Sequence, residues 1–76
     1  MEKDVIKIIS EVLEVQESKI SIKTGIGDIP EWDSIKQMQI IISLEEEYGI
    51  EFSEDGLVEA NNVKKLCEHI LHLKKN

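Results

Sequence analysis

A small all-α bundle, three main helices plus a short third one in chain order, is the fold this sequence predicts. Three observations carry it. The stretches 4–15 and 34–48 repeat apolar residues at helical spacing, and nothing in the chain reads as a credible sheet. Hydrophobic residues make up 41% of the chain, yet it holds only one Phe, one Tyr and one Trp, so the core must be aliphatic. A chain of 76 residues encloses one core, burying roughly 60% of the surface its unfolded form exposes. Residues 1–76 are therefore read as a single domain.

The first helix lies in "DVIKIISEVLEV", where Val5, Ile8, Ile9, Val12 and Leu13 share one face. Lys7, Ser10, Glu11 and Glu14 are expected on the other. Residues 16–33 carry Ser18, Ser21, Thr24, Gly25, Gly27, Asp28 and Pro30 and predict a long loop. Within it Ile20, Ile22, Ile26 and Ile29 are spaced to tuck into the core. A loop of this length is uncommon in a compact domain and is often functional.

The second helix runs from Ser34 to about Tyr48, with Gly49 as its C-cap. Ile50 and Phe52 then point inward, and Ser53 can cap a short helical turn through Leu57 and Val58. Asn62 suits the N-cap of a last helix, Val63 to about Leu73, whose inward residues are Val63, Leu66, Cys67 and Ile70. Lys74 and Lys75 follow, where cations oppose the negative end of the dipole.

Sixteen acids against nine bases give a net charge of −7. Nucleic acid and anionic membranes demand cations, so both are disfavoured as partners. The imbalance is concentrated: residues 28–59 contain ten acids and one base, Lys36, while the rest of the chain is slightly basic. Clustered like charge costs stability through self-repulsion, and docking to basic partners is the simplest use for it. The lone cysteine, Cys67, excludes an internal disulfide and fits a reducing compartment. Its apolar neighbours Leu66 and Ile70 predict a buried side chain rather than a reactive thiol. Met1-Glu2-Lys3-Asp4 does not read as a signal peptide, and no apolar run approaches the ~20 residues of a membrane span. A soluble, cytoplasmic monomer is expected.

The second helix has two apolar stripes. With Ile40 set at zero, Leu44 falls at about 40°, Tyr48 at about 80° and Ile41 at about 100°, which makes the core stripe. Met38, Ile42 and Ile35 cluster at about 160–220°, with Glu45 and Glu46 on either side and Ser34 between the stripes. Either the helix is central and buries both stripes, or Ile35, Met38 and Ile42 form an exposed docking patch rimmed by carboxylates.

Ser34 opens this helix in "EWDSI", and three roles compete for it. It can cap the helix, since Ser34-Ile35-Lys36-Gln37 matches the S-x-x-Q capping box, although Asp33 can cap equally well. A catalytic nucleophile is poorly supported, because the only histidines, His69 and His72, sit on the last helix. Nor does "DIPEWDSI" carry the alternating oxygen ligands of a calcium loop, so no metal site is expected. The third role is attachment of a phosphate-linked group, which the free N–H groups and positive dipole end of a helix start favour.

The "DSI" at the head of an apolar helix ending in "LEEEYGIEFS" resembles the acyl carrier protein family. The resemblance covers nearly the whole chain: first helix, long loop, Asp-Ser motif, second helix, short third helix, and Asn-Asn-Val opening the last. It implies a four-helix carrier that is not an enzyme. A holo-synthase (a phosphopantetheinyl transferase) would attach 4′-phosphopantetheine from coenzyme A to Ser34. Asp33 matches the motif aspartate that helps position magnesium and coenzyme A during transfer. The arm's thiol would carry acyl or aminoacyl thioesters between loading and transfer enzymes with basic docking patches. Ile35, Met38, Ile42, Glu45 and Glu46 match the family's partner-facing helix. Leu44, Phe52, Leu57 and Leu66 are the expected lining of an acyl pocket.

Some positions depart from the housekeeping pattern. "PEWDSI" stands where "GADSL"-like sequence is usual, and Trp32 offers a large anchor for partners just before the serine. Lys36 and Gln39 replace positions that are commonly acidic. These departures point to a specialised pathway (polyketide, cell-surface lipid or amino-acid-derived synthesis) at least as readily as to fatty-acid synthesis. Without the resemblance, the same surface also fits an acidic helical module that binds a basic partner and is never modified.

Overall fold

The computed structural model describes residues 1–74 and contains four α-helices: α1 (Glu2–Leu13), α2 (Ser34–Tyr48), α3 (Glu54–Glu59) and α4 (Val63–Lys74). The predicted cores of all four are present. Among the described residues there is no strand, only isolated bridges between Gly25 and Asn62 and between Ile26 and Ile29. Lys75 lies outside the described residues, and Lys74 closes α4 instead of following it.

α1 buries Val5, Ile9 and Leu13, while Ile8 and Val12 are only partly covered. It stops two residues before the apolar pattern does, because Glu14 adopts a left-handed conformation (φ 58°) and its N–H turns back to the Ser10 carbonyl. Ser10, expected in solvent, is buried. Its hydroxyl tolerates burial by donating 2.7 Å to the Lys7 carbonyl, so no orphan donor is left in the core.

The long segment before α2 is better organised than a plain loop. A single 3₁₀ turn forms at Glu17–Lys19, and Ile20 anchors in the core behind it. Farther on, the carbonyls of Ile22 and Thr24 accept the N–H groups of Lys64 and Val63, so the loop closes the first turn of α4. A Cβ at position 25 would lie 2.4 Å from the Asn61 carbonyl oxygen, and only glycine permits that approach. The side chain of Asn62 caps α4 by accepting the Lys65 N–H at 2.8 Å.

α2 is the centre of the bundle. Ile40, Ile41 and Leu44 are fully enclosed among Val5, Ile9, Val63, Leu66 and Ile70. Gly49 terminates it in the left-handed region (φ 62°), as its place after the last apolar residue predicts. Tyr48 is half-buried, its hydroxyl has no hydrogen-bond partner among the described residues, and the Lys74 ammonium stands 5.4 Å from its ring centroid. Burial pushes its phenol upward, helped by the nearby Asp4 carboxylate. Ser53 caps α3 through the Gly56 N–H. Cys67 is buried as expected, and burial raises its thiol, which makes it a poor nucleophile.

Candidate functional site

At the head of α2 the competition for the cap is resolved in favour of Asp33. Its backbone is extended, and its Oδ1 accepts the Lys36 N–H at 2.9 Å. A carboxylate here satisfies an orphan donor and faces the positive end of the helix dipole. The S-x-x-Q box does not form, because the Gln37 side chain turns into the core and not back to the cap.

Ser34 is consequently the first helical residue. It is exposed, and among the described residues its hydroxyl enters no hydrogen bond. Within the same set, the N–H groups of Ser34 and Ile35 take no acceptor from the chain. The site therefore offers a free hydroxyl beside two unspent N–H donors, and a phosphodiester fits it. The neighbouring Asp33 carboxylate opposes a second negative charge there, so a divalent cation during attachment would relieve the conflict.

Of the two stripes of α2, the first is buried, Tyr48 only partly. The second one is solvent-facing: Ile35 is 70% exposed, Met38 45% and Ile42 49%. Glu46 is exposed beside it, and nine of the ten acids in residues 28–59 are exposed as well. Only Glu45 is half-buried, and its Oε2 accepts the Phe52 N–H at 2.9 Å. Glu45, at the edge of the patch, also holds the segment before α3 through that oxygen.

Trp32 requires a correction. Expected as an exposed partner anchor, it is 1% exposed and belongs to the core. Its backbone N–H and carbonyl are tied to Ile29 and Gly27, and Asp28 in turn accepts the Gly25 N–H. The indole N–H donates 2.6 Å to Gln37 Oε1, and Gln37 Nε2 donates 2.7 Å to the Ala60 carbonyl at the end of α3. An indole can only donate and a carbonyl can only accept, so the amide orientation is fixed.

Gln37, next to the site, is a buried polar residue that the capping-box pattern does not anticipate. The signal was present: at 100° per residue it falls at about 60°, between Leu44 and Tyr48 on the core stripe. Of the expected acyl-pocket residues, Leu44 and Leu66 are fully enclosed, Phe52 is buried with its ring stacked 6.0 Å from that of His69, and Leu57 is half-buried.

Residues 3–70 match a family described as the phosphopantetheine attachment site. The acyl carrier protein of Buchnera aphidicola subsp. Schizaphis graminum is 33% identical over 70 residues, which span 92% of this chain and 89% of that protein. An acyl carrier protein homolog from Mycoplasma pneumoniae is 28% identical over 76 residues, covering 95% and 90%. Among solved structures, the solution NMR structure of holo acyl carrier protein from Geobacter metallireducens superposes with a TM-score of 0.85 at 27% identity. That match covers 97% of this chain and 85% of the other.

Proposed function

We propose that this chain, which belongs to the acyl carrier protein family, a family of phosphopantetheine-bearing carriers and not enzymes, uses Ser34 as its attachment residue. The observation that carries this reading is the unspent Ser34 hydroxyl: Asp33 does the capping, so the serine at the helix start is left exposed. The 4′-phosphopantetheine arm supplies a flexible thiol that holds acyl or aminoacyl groups as thioesters. In attachment, Ser34 Oγ forms the new bond to the pantetheine-side phosphorus as the pyrophosphate link of coenzyme A breaks, adenosine 3′,5′-bisphosphate leaves, and the transferase takes up the hydroxyl proton. Asp33 would help position magnesium and coenzyme A during the transfer. The Ile35, Met38 and Ile42 patch, with Glu46 at its edge, is the surface that biosynthetic enzymes with basic patches engage. The weakly acidic start of α2, with Lys36 and Gln39, supports service in a specialised pathway.

Incubation with coenzyme A, magnesium and a broad-specificity phosphopantetheinyl transferase tests the reading by intact mass. A gain of one phosphopantetheine is expected. No gain, with the transferase shown active on another carrier, would leave an unmodified acidic module that binds a basic partner.

The docking face has its own test. Glu46→Lys should slow transfer several-fold at low ionic strength and leave the melting temperature unchanged, since rim charges act mainly on association. A rate equal to wild type would mean a different face docks. Glu45→Lys is not a clean probe, because it also removes the acceptor of the Phe52 N–H.

A further inference from the structure

The segment from Phe52 to Ala60 is clipped to α2 at both ends by side chains. Glu45 accepts the Phe52 N–H, and Gln37 donates to the Ala60 carbonyl. The clips are eight residues apart on each segment, so the stretch from Phe52 to Ala60 runs back along α2 and is pinned to it at both ends. The clip nearer Ser34 is the more deeply buried of the two. Gln37 is buried, is joined to the fully enclosed Trp32, and is the core-facing residue on the turn that Ser34 opens. It lies about 4.5 Å along the axis from Ser34. Beyond it come Ile40 and Leu44, which have no exposed surface.

We propose that the Trp32–Gln37–Ala60 chain of hydrogen bonds is a specificity gate that shuts the aliphatic core to long acyl chains, so that this carrier holds short or polar acyl groups outside the bundle. The inference rests on Ser34 being the attachment residue. Gln37 is the first core-facing side chain of α2 beyond Ser34, so an alkyl chain entering between α2 and the Phe52–Ala60 segment at that end meets its amide. An alkyl chain taking that way must separate α3 from α2 there, which strips a buried indole N–H and a carbonyl of their partners. Neither an alkyl chain nor a dry core replaces those bonds. A short or charged cargo has no reason to enter. Gln37 and Trp32 act through the path they block, which makes them positioning residues and not contacts of the reacting thioester.

A series of acyl-phosphopantetheine adducts on wild type and Gln37→Leu, from acetyl through butyryl and octanoyl to decanoyl, tests the gate. Each is first verified by mass, then melted, and the single indole N–H resonance is recorded. Wild type should melt within about 2 °C across the series with the indole resonance fixed, whereas the Gln37→Leu protein should rise by about 5 °C or more with chain length. Gln37→Met, closer in shape, serves if leucine prevents folding. Wild-type melting that climbs with chain length while the indole resonance shifts overturns the gate but not the carrier reading. A flat series in both proteins overturns the role given to Gln37. Absence of any adduct on wild type overturns the carrier reading and the gate with it.

Discussion

Ser34→Ala is expected to accept no phosphopantetheine and to unfold at the wild-type temperature. The first half follows if this hydroxyl is the nucleophile. The second is a consequence of how α2 begins. Asp33 holds the cap, the Ser34 hydroxyl bonds to nothing within the described chain, and the side chain is exposed. Alanine is also the better helix former, so the change should stay within about 0.5 kcal/mol of neutral. Asp33→Ala separates the two roles, because losing the cap costs about 0.5–2 kcal/mol. Intact mass and a thermal melt on the same samples decide the matter. A Ser34→Ala protein that still gains mass, or one that melts far below wild type, contradicts the division of labour between the two residues.

Trp32→Ala should have the largest effect on stability of any single change near the site. Removing a fully enclosed indole costs about 3–5 kcal/mol in transfer and cavity terms. It also strands Gln37 Oε1 in the core, which adds about 1–3 kcal/mol. A domain of this size has only ~4–11 kcal/mol in total. At about 4–8 °C per kcal/mol, the melt should fall by at least roughly 15 °C, and at the upper end of the cost lose its cooperative transition. Trp32→Phe keeps most of the volume but loses the N–H donor, and should fall between. Differential scanning calorimetry checks both. An alanine variant within a few degrees of wild type would mean that the indole does not brace the segment before Ser34.

The same residue illustrates what sequence could and could not say. Helical spacing makes α1, α2 and α4 legible, the Ser53 cap marks α3, and the angles around α2 separate Ile40 and Leu44 from Ile35, Met38 and Ile42. Periodicity works there because burial depends on which face of a regular element a residue occupies. It is silent in a loop, where no period relates position to direction. Trp32, in such a segment, was read from its size as a partner anchor, whereas it packs inward and satisfies its N–H on Gln37. Gln37 falls on the core face by angle, whereas the capping-box pattern turns it back toward the helix start. Burial of a polar group requires a specific partner, and that partner, the Ala60 carbonyl, is 23 residues away. The tie between Glu45 and Phe52 was hidden for the same reason, since an acid in an acidic cluster looks free until its acceptor role is seen. Glu14 escaped notice because a non-glycine residue in the left-handed region carries no compositional mark.

The central claim is that one hydroxyl, freed from capping by its neighbour, takes the arm. Loading the wild-type protein with coenzyme A and transferase, digesting it, and fragmenting the modified peptide locates that bond directly. The predicted result is a phosphopantetheine ester on Ser34 alone. Modification of Ser10, Ser18, Ser21, Ser43 or Ser53 in its place, or fully loaded protein with Ser34 unmodified, would contradict it.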